Sequence, residues 1–166
     1  MVPFSIIVAI DEENGIGRHG ELAWRIPGEL KHFRELTIGG GKNAVIMGEA
    51  TWSSLPEKFR PLPQRENIVL SLSKTSYDGA KTAGSFDEAF NIAAGVEKVF
   101  IIGGASIYKQ AIALPNCQEL LITRVKDGHN CDVLFPPIPS DFTLVAKGKP
   151  VTEGGETFWF EQYMRS

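Results

Sequence analysis

Lys98-Val99-Phe100-Ile101-Ile102-Gly103-Gly104-Ala105-Ser106-Ile107-Tyr108-Lys109-Gln110-Ala111-Ile112 decides the fold. An apolar run of strand length passes through two glycines directly into a helical segment, so a buried strand hands over to a helix N-terminus. The same order occurs earlier. Asn43-Ala44-Val45-Ile46-Met47 reads as a buried strand, Gly48 ends it, and residues 49–55 read as a short helix. Glycine lets a ligand approach the backbone closely, and the free N–H groups of a helix start attract anions. Two such junctions, with a glycine-rich loop nearby, point to a ligand with two phosphates or a long dinucleotide.

Working outward, residues 4–10, 67–71 and 119–125 are further buried strands, and Lys81-Thr82-Ala83 is a short one. Ser85 and Glu88 form a capping box at the head of a helix that Gly95 stops. Residues 142–147 and 156–163 alternate apolar and polar, with Gly154-Gly155 between them, and read as a C-terminal antiparallel pair. Strands alternating with helices, then two late strands, predict an α/β fold: a central, mostly parallel sheet with helices on both faces and an antiparallel C-terminal edge. Residues 11–20 hold three glycines and no apolar period, so they read as a long irregular loop suited to a lid. Residues 56–63 hold three prolines and read as a fixed, extended connection that delivers Arg60 and Arg65 to the surface.

A chain of 166 residues fits a single domain, residues 1–166. Seventeen basic and twenty acidic residues give a formal charge of −3 without long blocks of either sign, which argues against nucleic acid and anionic membranes as partners. No stretch approaches the roughly 20 apolar residues of a membrane span, and the N-terminus lacks a basic segment before an apolar run. A soluble cytoplasmic protein is expected, and a monomer. Cys117 and Cys131 read as buried or half-buried thiols. His19, His32 and His129 are scattered, without the spacing of a metal site, and each reads as a surface or loop residue. No metal is expected.

The chemistry centres on Trp24-Arg25-Ile26-Pro27-Gly28-Glu29-Leu30-Lys31-His32-Phe33-Arg34-Glu35-Leu36-Thr37. Pro27 suits the first position of a helix. At roughly 100° per residue, Leu30, Phe33, Leu36 and Thr37 share a face, while Lys31, Arg34 and Glu35 lie opposite. Glu29 projects between Phe33 and Leu36. An acid in a first turn also suits the helix dipole. A carboxylate within an apolar stripe, however, must find hydrogen-bond donors or stay protonated, which points to a ligand.

These residues together resemble the dihydrofolate reductase family over essentially the whole chain. The resemblance rests on Asn14-Gly15-Ile16-Gly17, Leu22-Ala23-Trp24 with Pro27 and Glu29-Leu30-Lys31-His32-Phe33, Val45-Ile46-Met47-Gly48 with Thr51-Trp52, Arg60-Pro61-Leu62-Pro63 with Arg65, Ile102-Gly103-Gly104 with Ile107-Tyr108, and Leu121-Ile122-Thr123. It implies reduction of 7,8-dihydrofolate to tetrahydrofolate by hydride transfer from a nicotinamide cofactor, a step of one-carbon metabolism, with antifolates as inhibitors. It assigns Glu29 to the pterin 2-amino and ring N–H groups and to assisting a water that protonates N5, with Trp24 beside that water and Thr123 near the pterin amine.

By the same resemblance Ile7, Val8, Leu30, Phe33, Leu55 and Ile102 form apolar substrate walls, Arg60 lies on the substrate side, and Arg65 takes the glutamate tail's α-carboxylate. The cofactor falls to Ala9, Ile16, Gly17 and Ile102 near the nicotinamide, to Gly48, Glu49, Ala50 and Thr51 and Gly103, Gly104, Ala105, Ser106, Ile107 and Tyr108 at the phosphates, and to Ser71 and Leu72 near the adenosine. The family's Gly-Gly bond is typically cis. Three positions depart from its pattern. Ala23 replaces the usual proline before Trp24, Glu49 stands where an arginine or lysine commonly faces the NADPH 2′-phosphate, and Leu72 stands where a polar or basic residue often assists. NADPH is thus the implied cofactor, with NADH open because of Glu49 and Lys74 a base that could substitute. A related pterin or pyrimidine reductase and a folate- or nucleotide-binding module without turnover are the competing readings.

Overall fold

The computed structural model describes residues 2–18, 21–73 and 76–166, with the side chains of Glu21 and Leu22 excepted. His19, Gly20 and Lys74, which figure in the expectations above, lie outside the described residues. The strands are β1 Phe4–Asp11, β2 Gly15–Arg18, β3 Glu21–Leu22, β4 Ala44–Gly48, β5 Glu66–Leu70, β6 Lys81–Ala83, β7 Val99–Ile101, β8 Cys117–Val125, β9 Val133–Leu134, β10 Phe142–Lys147, β11 Val151–Glu153 and β12 Glu156–Arg165. The helices are α1 Pro27–Ile38, α2 Glu49–Ser54, α3 Phe86–Ile92 and α4 Ala105–Ala111.

Among the described residues the main sheet runs β10-β12-β8-β1-β7-β4-β5-β6, with β11 added on β12. From β8 to β6 every neighbouring pair is parallel, and β12 joins β8 antiparallel, which makes the expected C-terminal edge. Alternation along the strands divides the core between the two faces. Ile6, Val8, Ile10, Ile46 and Ile101 pack with α3 and α4 residues such as Phe90 and Tyr108. Ile7, Val45, Met47 and Phe100 pack with Phe33 and Leu36 of α1 and Trp52 of α2.

Local sequence explains the helix ends. Pro27 opens α1, and Gly39, at φ +51°, closes it by donating its N–H to Glu35 O at 3.0 Å. Ser85 caps α3 by accepting from Glu88 N at 3.1 Å, while the Glu88 carboxylate accepts from Gly84 N, one residue before the cap. That helix ends at Ile92, before Gly95.

Three expectations are corrected. Residues 11–20 are not an irregular loop throughout, because β2 pairs with β3 and β9 in a small second sheet. Glycine spacing hid this strand, whose partner β9 is only two residues long. Residues 56–63 contain a single 3-10 turn, Glu57–Phe59, and a cis Arg60-Pro61 bond. Residues 142–147 and 156–163 form the expected antiparallel pair as β10 and β12, but Gly154-Gly155 joins β12 to an additional short strand, β11, which lies along the same edge of β12 as β10 while β8 takes the other edge.

Candidate active site

α1 crosses the face of the sheet that carries Ile7, and its buried residues are Glu29 and Thr37. Leu30 remains 40 % exposed and Phe33 and Leu36 are half-buried, so the apolar stripe is only partly covered by protein. Ile7, Phe33, Leu55 and Ile102 do meet in one cluster with Met47 and Trp52. Val8 does not join them. Its side chain enters the cluster on the opposite face of the sheet, because successive residues of β1 point to opposite faces. Only the Val8 backbone can serve a ligand on the α1 side. A cavity of about 200 Å³ between α1 and the sheet is lined by Ile7, Leu36, Leu121, Thr123, Phe160 and His32, among others.

Glu29 is 8 % exposed, and burial pushes its carboxyl up to about 7. Among the described residues no donor reaches its oxygens, in keeping with burial as the cause of that shift. Its charge is felt by Tyr108, whose buried hydroxyl donates to Ile7 O at 2.9 Å and whose ionisation is opposed first by burial and then by Glu29. Trp24 is buried with Ile26, Val125 and Phe158, and its indole N–H has no protein acceptor among the described residues. A buried donor left unmatched costs on the order of 1–3 kcal/mol, so this N–H is suited to a water or ligand acceptor.

Arg60 and Arg65 are not delivered freely to the surface. Arg60 lies over the Trp52 ring at 5.7 Å and donates to Trp52 O at 3.4 Å, because the 3-10 turn brings it back onto α2. Arg65 is half-buried and donates to Pro63 O at 2.8 Å and to Thr37 Oγ1 at 2.9 Å. These bonds fix the plane of a guanidinium that suits a carboxylate. Burial, and then the charge of Arg34, lowers its pKa.

The two glycine junctions lie side by side at the ends of β4 and β7, where Gly48 N donates to Gly103 O at 2.9 Å. The Gly103-Gly104 bond is cis, as the resemblance implies. A Cβ on Gly48 would stand 3.0 Å from Ile107 Cγ1, and one on Gly103, at φ +130°, would stand 3.1 Å from Thr51 Oγ1. Gly48, Thr51, Gly103, Gly104 and Ile107 therefore surround one place, with Ala50 beside Thr51 in α2 and Ala105 and Ser106 opening α4. Ala9 packs with Trp24, Ile16 packs on the opposite core, and Gly17 pairs with Leu22 and Val133. Leu72 is 93 % exposed. Glu49 Oε1 accepts from Ser71 Oγ and Tyr77 Oη, each at 2.6 Å, and from Ser73 Oγ at 3.2 Å.

Sequence reasoning missed the last contacts, since nothing local ties Tyr77 or Ser73 to Glu49. It also missed a network behind Trp24. Asp11 accepts from the N–H groups of Gly15 at 2.7 Å, Glu13 at 2.8 Å and His129 at 2.9 Å. Burial alone would raise its pKa, but these donors and the Cys131 thiol outweigh it and hold the carboxyl below the usual range. Arg124 fastens the same turn through Asn14 Oδ1 at 2.9 Å. An aspartate ending a strand four residues before a glycine was the available signal, as an Asx-type turn. His129 and His32 are more engaged than expected. His32 stacks on Phe160 with centroids 3.7 Å apart, and the edge-on contact of His129 with Trp24 spans 5.3 Å. No cluster of metal-binding side chains occurs among the described residues, and none of their helices is long and apolar enough to cross a membrane.

A sequence profile described as dihydrofolate reductase matches residues 3–165. The chain belongs to the dihydrofolate reductase family. It is 40 % identical to "Dihydrofolate reductase" of Drosophila melanogaster over 88 % of this chain and 86 % of that one. Identity to "Dihydrofolate reductase" of Aedes albopictus is 38 %, over 92 % and 89 % of the two chains. It is also 36 % identical to "Bifunctional dihydrofolate reductase-thymidylate synthase 2" of Arabidopsis thaliana, over 98 % of this chain but 31 % of that protein. The chain thus spans about a third of such bifunctional relatives.

Proposed function

We propose that this chain reduces 7,8-dihydrofolate to tetrahydrofolate, with Glu29 as the acid that holds the pterin. The observation that carries this reading is a buried carboxyl, raised to about 7 and without a donor among the described residues, on the first turn of α1. The pterin 2-amino group and adjacent ring N–H form a pair of parallel donors, the partner a desolvated carboxylate needs. A group poised near neutral pH also suits proton delivery at the operating pH. Glu29 would assist a water in protonating N5, and the Trp24 indole N–H would hold that water. Thr123, Phe33, Leu55 and Ile102 would orient the ring, while Arg65, already braced by Thr37 and Pro63, would take the α-carboxylate of the glutamate tail.

Family membership implies a nicotinamide cofactor, and the residues fit one. The paired junctions at Gly48 and Gly103-Gly104 offer backbone N–H groups in a cradle that a Cβ would narrow. When bound there, a nicotinamide would supply the hydride that pterin C6 accepts. At the adenosine end, Glu49 is an acceptor fixed by three hydroxyls, which suits a ribose 2′-OH and opposes a 2′-phosphate. We therefore propose a weak NADPH preference with NADH also used. The reading is tested by following loss of the reduced-nicotinamide absorbance with dihydrofolate, using each cofactor in turn. Dihydrofolate-dependent oxidation supports it. Tight binding of both ligands without turnover would make the chain a binding module instead.

A further inference from the structure

Trp24 and Glu29, the two groups on which the proposed chemistry rests, are both reached from one remote turn. α1 begins after Ile26, whose side chain cannot cap it; Pro27 has no N–H and Glu29 N donates to Ile26 O at 3.1 Å, so the Gly28 N–H of the first turn needs an acceptor from elsewhere. Glu153, at the end of β11, supplies one by accepting from Gly28 N at 2.7 Å, one residue before Glu29. The approach is close: a Cβ on Gly28 would stand 3.0 Å from Glu153 Oε2 and would push that carboxylate by a few tenths of an ångström. Across Gly154-Gly155, Glu156 Oε2 lies 2.9 Å from His129 Nε2. His129 is held on its other side by Asp11, which accepts its backbone N–H at 2.9 Å, and its ring meets the Trp24 indole edge-on at 70°. With its side chain only 13 % exposed, His129 fills the space between the turn and the indole.

We infer that the β11–β12 turn is the positioning element of the proposed site. Glu153 fixes the first turn of α1, which carries Glu29. Glu156, acting through His129, fixes the indole of Trp24. The inference rests on the roles given to Trp24 and Glu29 above, and it adds three positioning residues that touch neither substrate nor cofactor. A merely structural hairpin would make a different pattern. The same hairpin carries a Thr152–Thr157 hydroxyl contact of 2.9 Å that is part of neither chain of contacts and serves as the internal control.

The test uses the full chain labelled with 5-fluorotryptophan, which gives one fluorine resonance for each of its three tryptophans, with Trp24 assigned through Trp24→Phe. Glu156→Ala should move the Trp24 resonance and leave that of Trp52 in place. Glu153→Ala and Glu156→Ala should each lower kcat about ten- to a hundredfold, the scale that misplacement by about an ångström produces, with a much smaller change in KM. Glu156→Gln, which keeps an acceptor for His129, should recover most of the rate, and Thr152→Val should change neither readout. Should an alanine variant fail to fold, His129→Phe keeps the ring and removes its nitrogens, and it should move the Trp24 resonance in the same way. A parental Trp24 resonance in Glu156→Ala or His129→Phe, or an equal loss of kcat in Thr152→Val, overturns the inference. If the parent chain shows no turnover, the activity reading fails and the resonance still decides the role of the turn.

Discussion

Glu29→Gln should make the unliganded protein more stable above neutral pH, and the size of the gain follows from burial. The ordinary carboxyl value of 4.5 applies to the unfolded chain, and burial raises it to about 7 in the folded one. Between those values the folded chain holds a proton that the unfolded chain has lost. Stability therefore falls as pH rises through the window, and the full cost is present above about 7. At about 1.4 kcal/mol for each pH unit between the two values, the cost is about 3 kcal/mol. Glutamine is neutral throughout. It should match the parent near pH 4 and exceed it by about 3 kcal/mol near pH 8, a gain of about 6–12 °C in Tm for a chain of this size. Urea unfolding of both proteins across that range measures the difference directly, since other carboxyls titrate in both and cancel. Saturating dihydrofolate should reverse the order, because its N–H pair stabilises the parent's carboxylate and loses a charge-assisted partner in the amide. A stability difference that stays constant with pH, or a variant less stable than the parent near pH 8, would refute the claim that Glu29 is held as a costly buried acid.

Other outcomes follow from the same geometry. Arg65→Leu should raise KM for dihydrofolate about ten- to a hundredfold, the worth of charge-assisted bonds, with little change in kcat. A pteridine substrate without the glutamate tail should be indifferent to it, and an equal loss on both substrates would make Arg65 structural. Glu49→Arg should raise the NADPH-to-NADH ratio of kcat/KM by about ten- to a hundredfold, less if solvent screening is strong. A strong NADPH preference in the parent, unimproved by the arginine, would place the 2′-phosphate elsewhere. Gly15→Ala puts a Cβ 2.5 Å from Cys131 Cβ and 2.8 Å from Asp11 Oδ2. It should cost about 1–3 kcal/mol in urea unfolding, and a parental midpoint would show that this turn gives way easily.

The fold was legible where neighbouring residues carry it. Unbroken apolar strands, glycines before helix starts and the Ser85–Glu88 cap all act within a few residues, and the structure has each of them. The position of Glu29 within the α1 stripe was legible for the same reason. β2 and β9 were not, because short strands rich in glycine or flanked by prolines have no period, and only their pairing defines them. The wall assigned to Val8 failed on a rule the sequence does contain, since Ile7 and Val8 must face opposite ways in a strand. His129, Glu153 and Glu156 were illegible for another reason. They come from two separate stretches of chain, and Glu153 and Glu156 reach Gly28 and His129 only when the C-terminal hairpin folds back over α1.

Hydride transfer to dihydrofolate at a site built around Glu29 is open to a direct chemical test. The direct measurement supplies dihydrofolate with NADPH carrying deuterium at both C4 positions and follows the product by mass spectrometry. Tetrahydrofolate should carry one deuterium, at C6, for each cofactor oxidised, and the rate at neutral pH should collapse in Glu29→Gln. Folded protein that binds both compounds yet forms no labelled tetrahydrofolate, or a Glu29→Gln variant as fast as the parent at neutral pH, would contradict this reading.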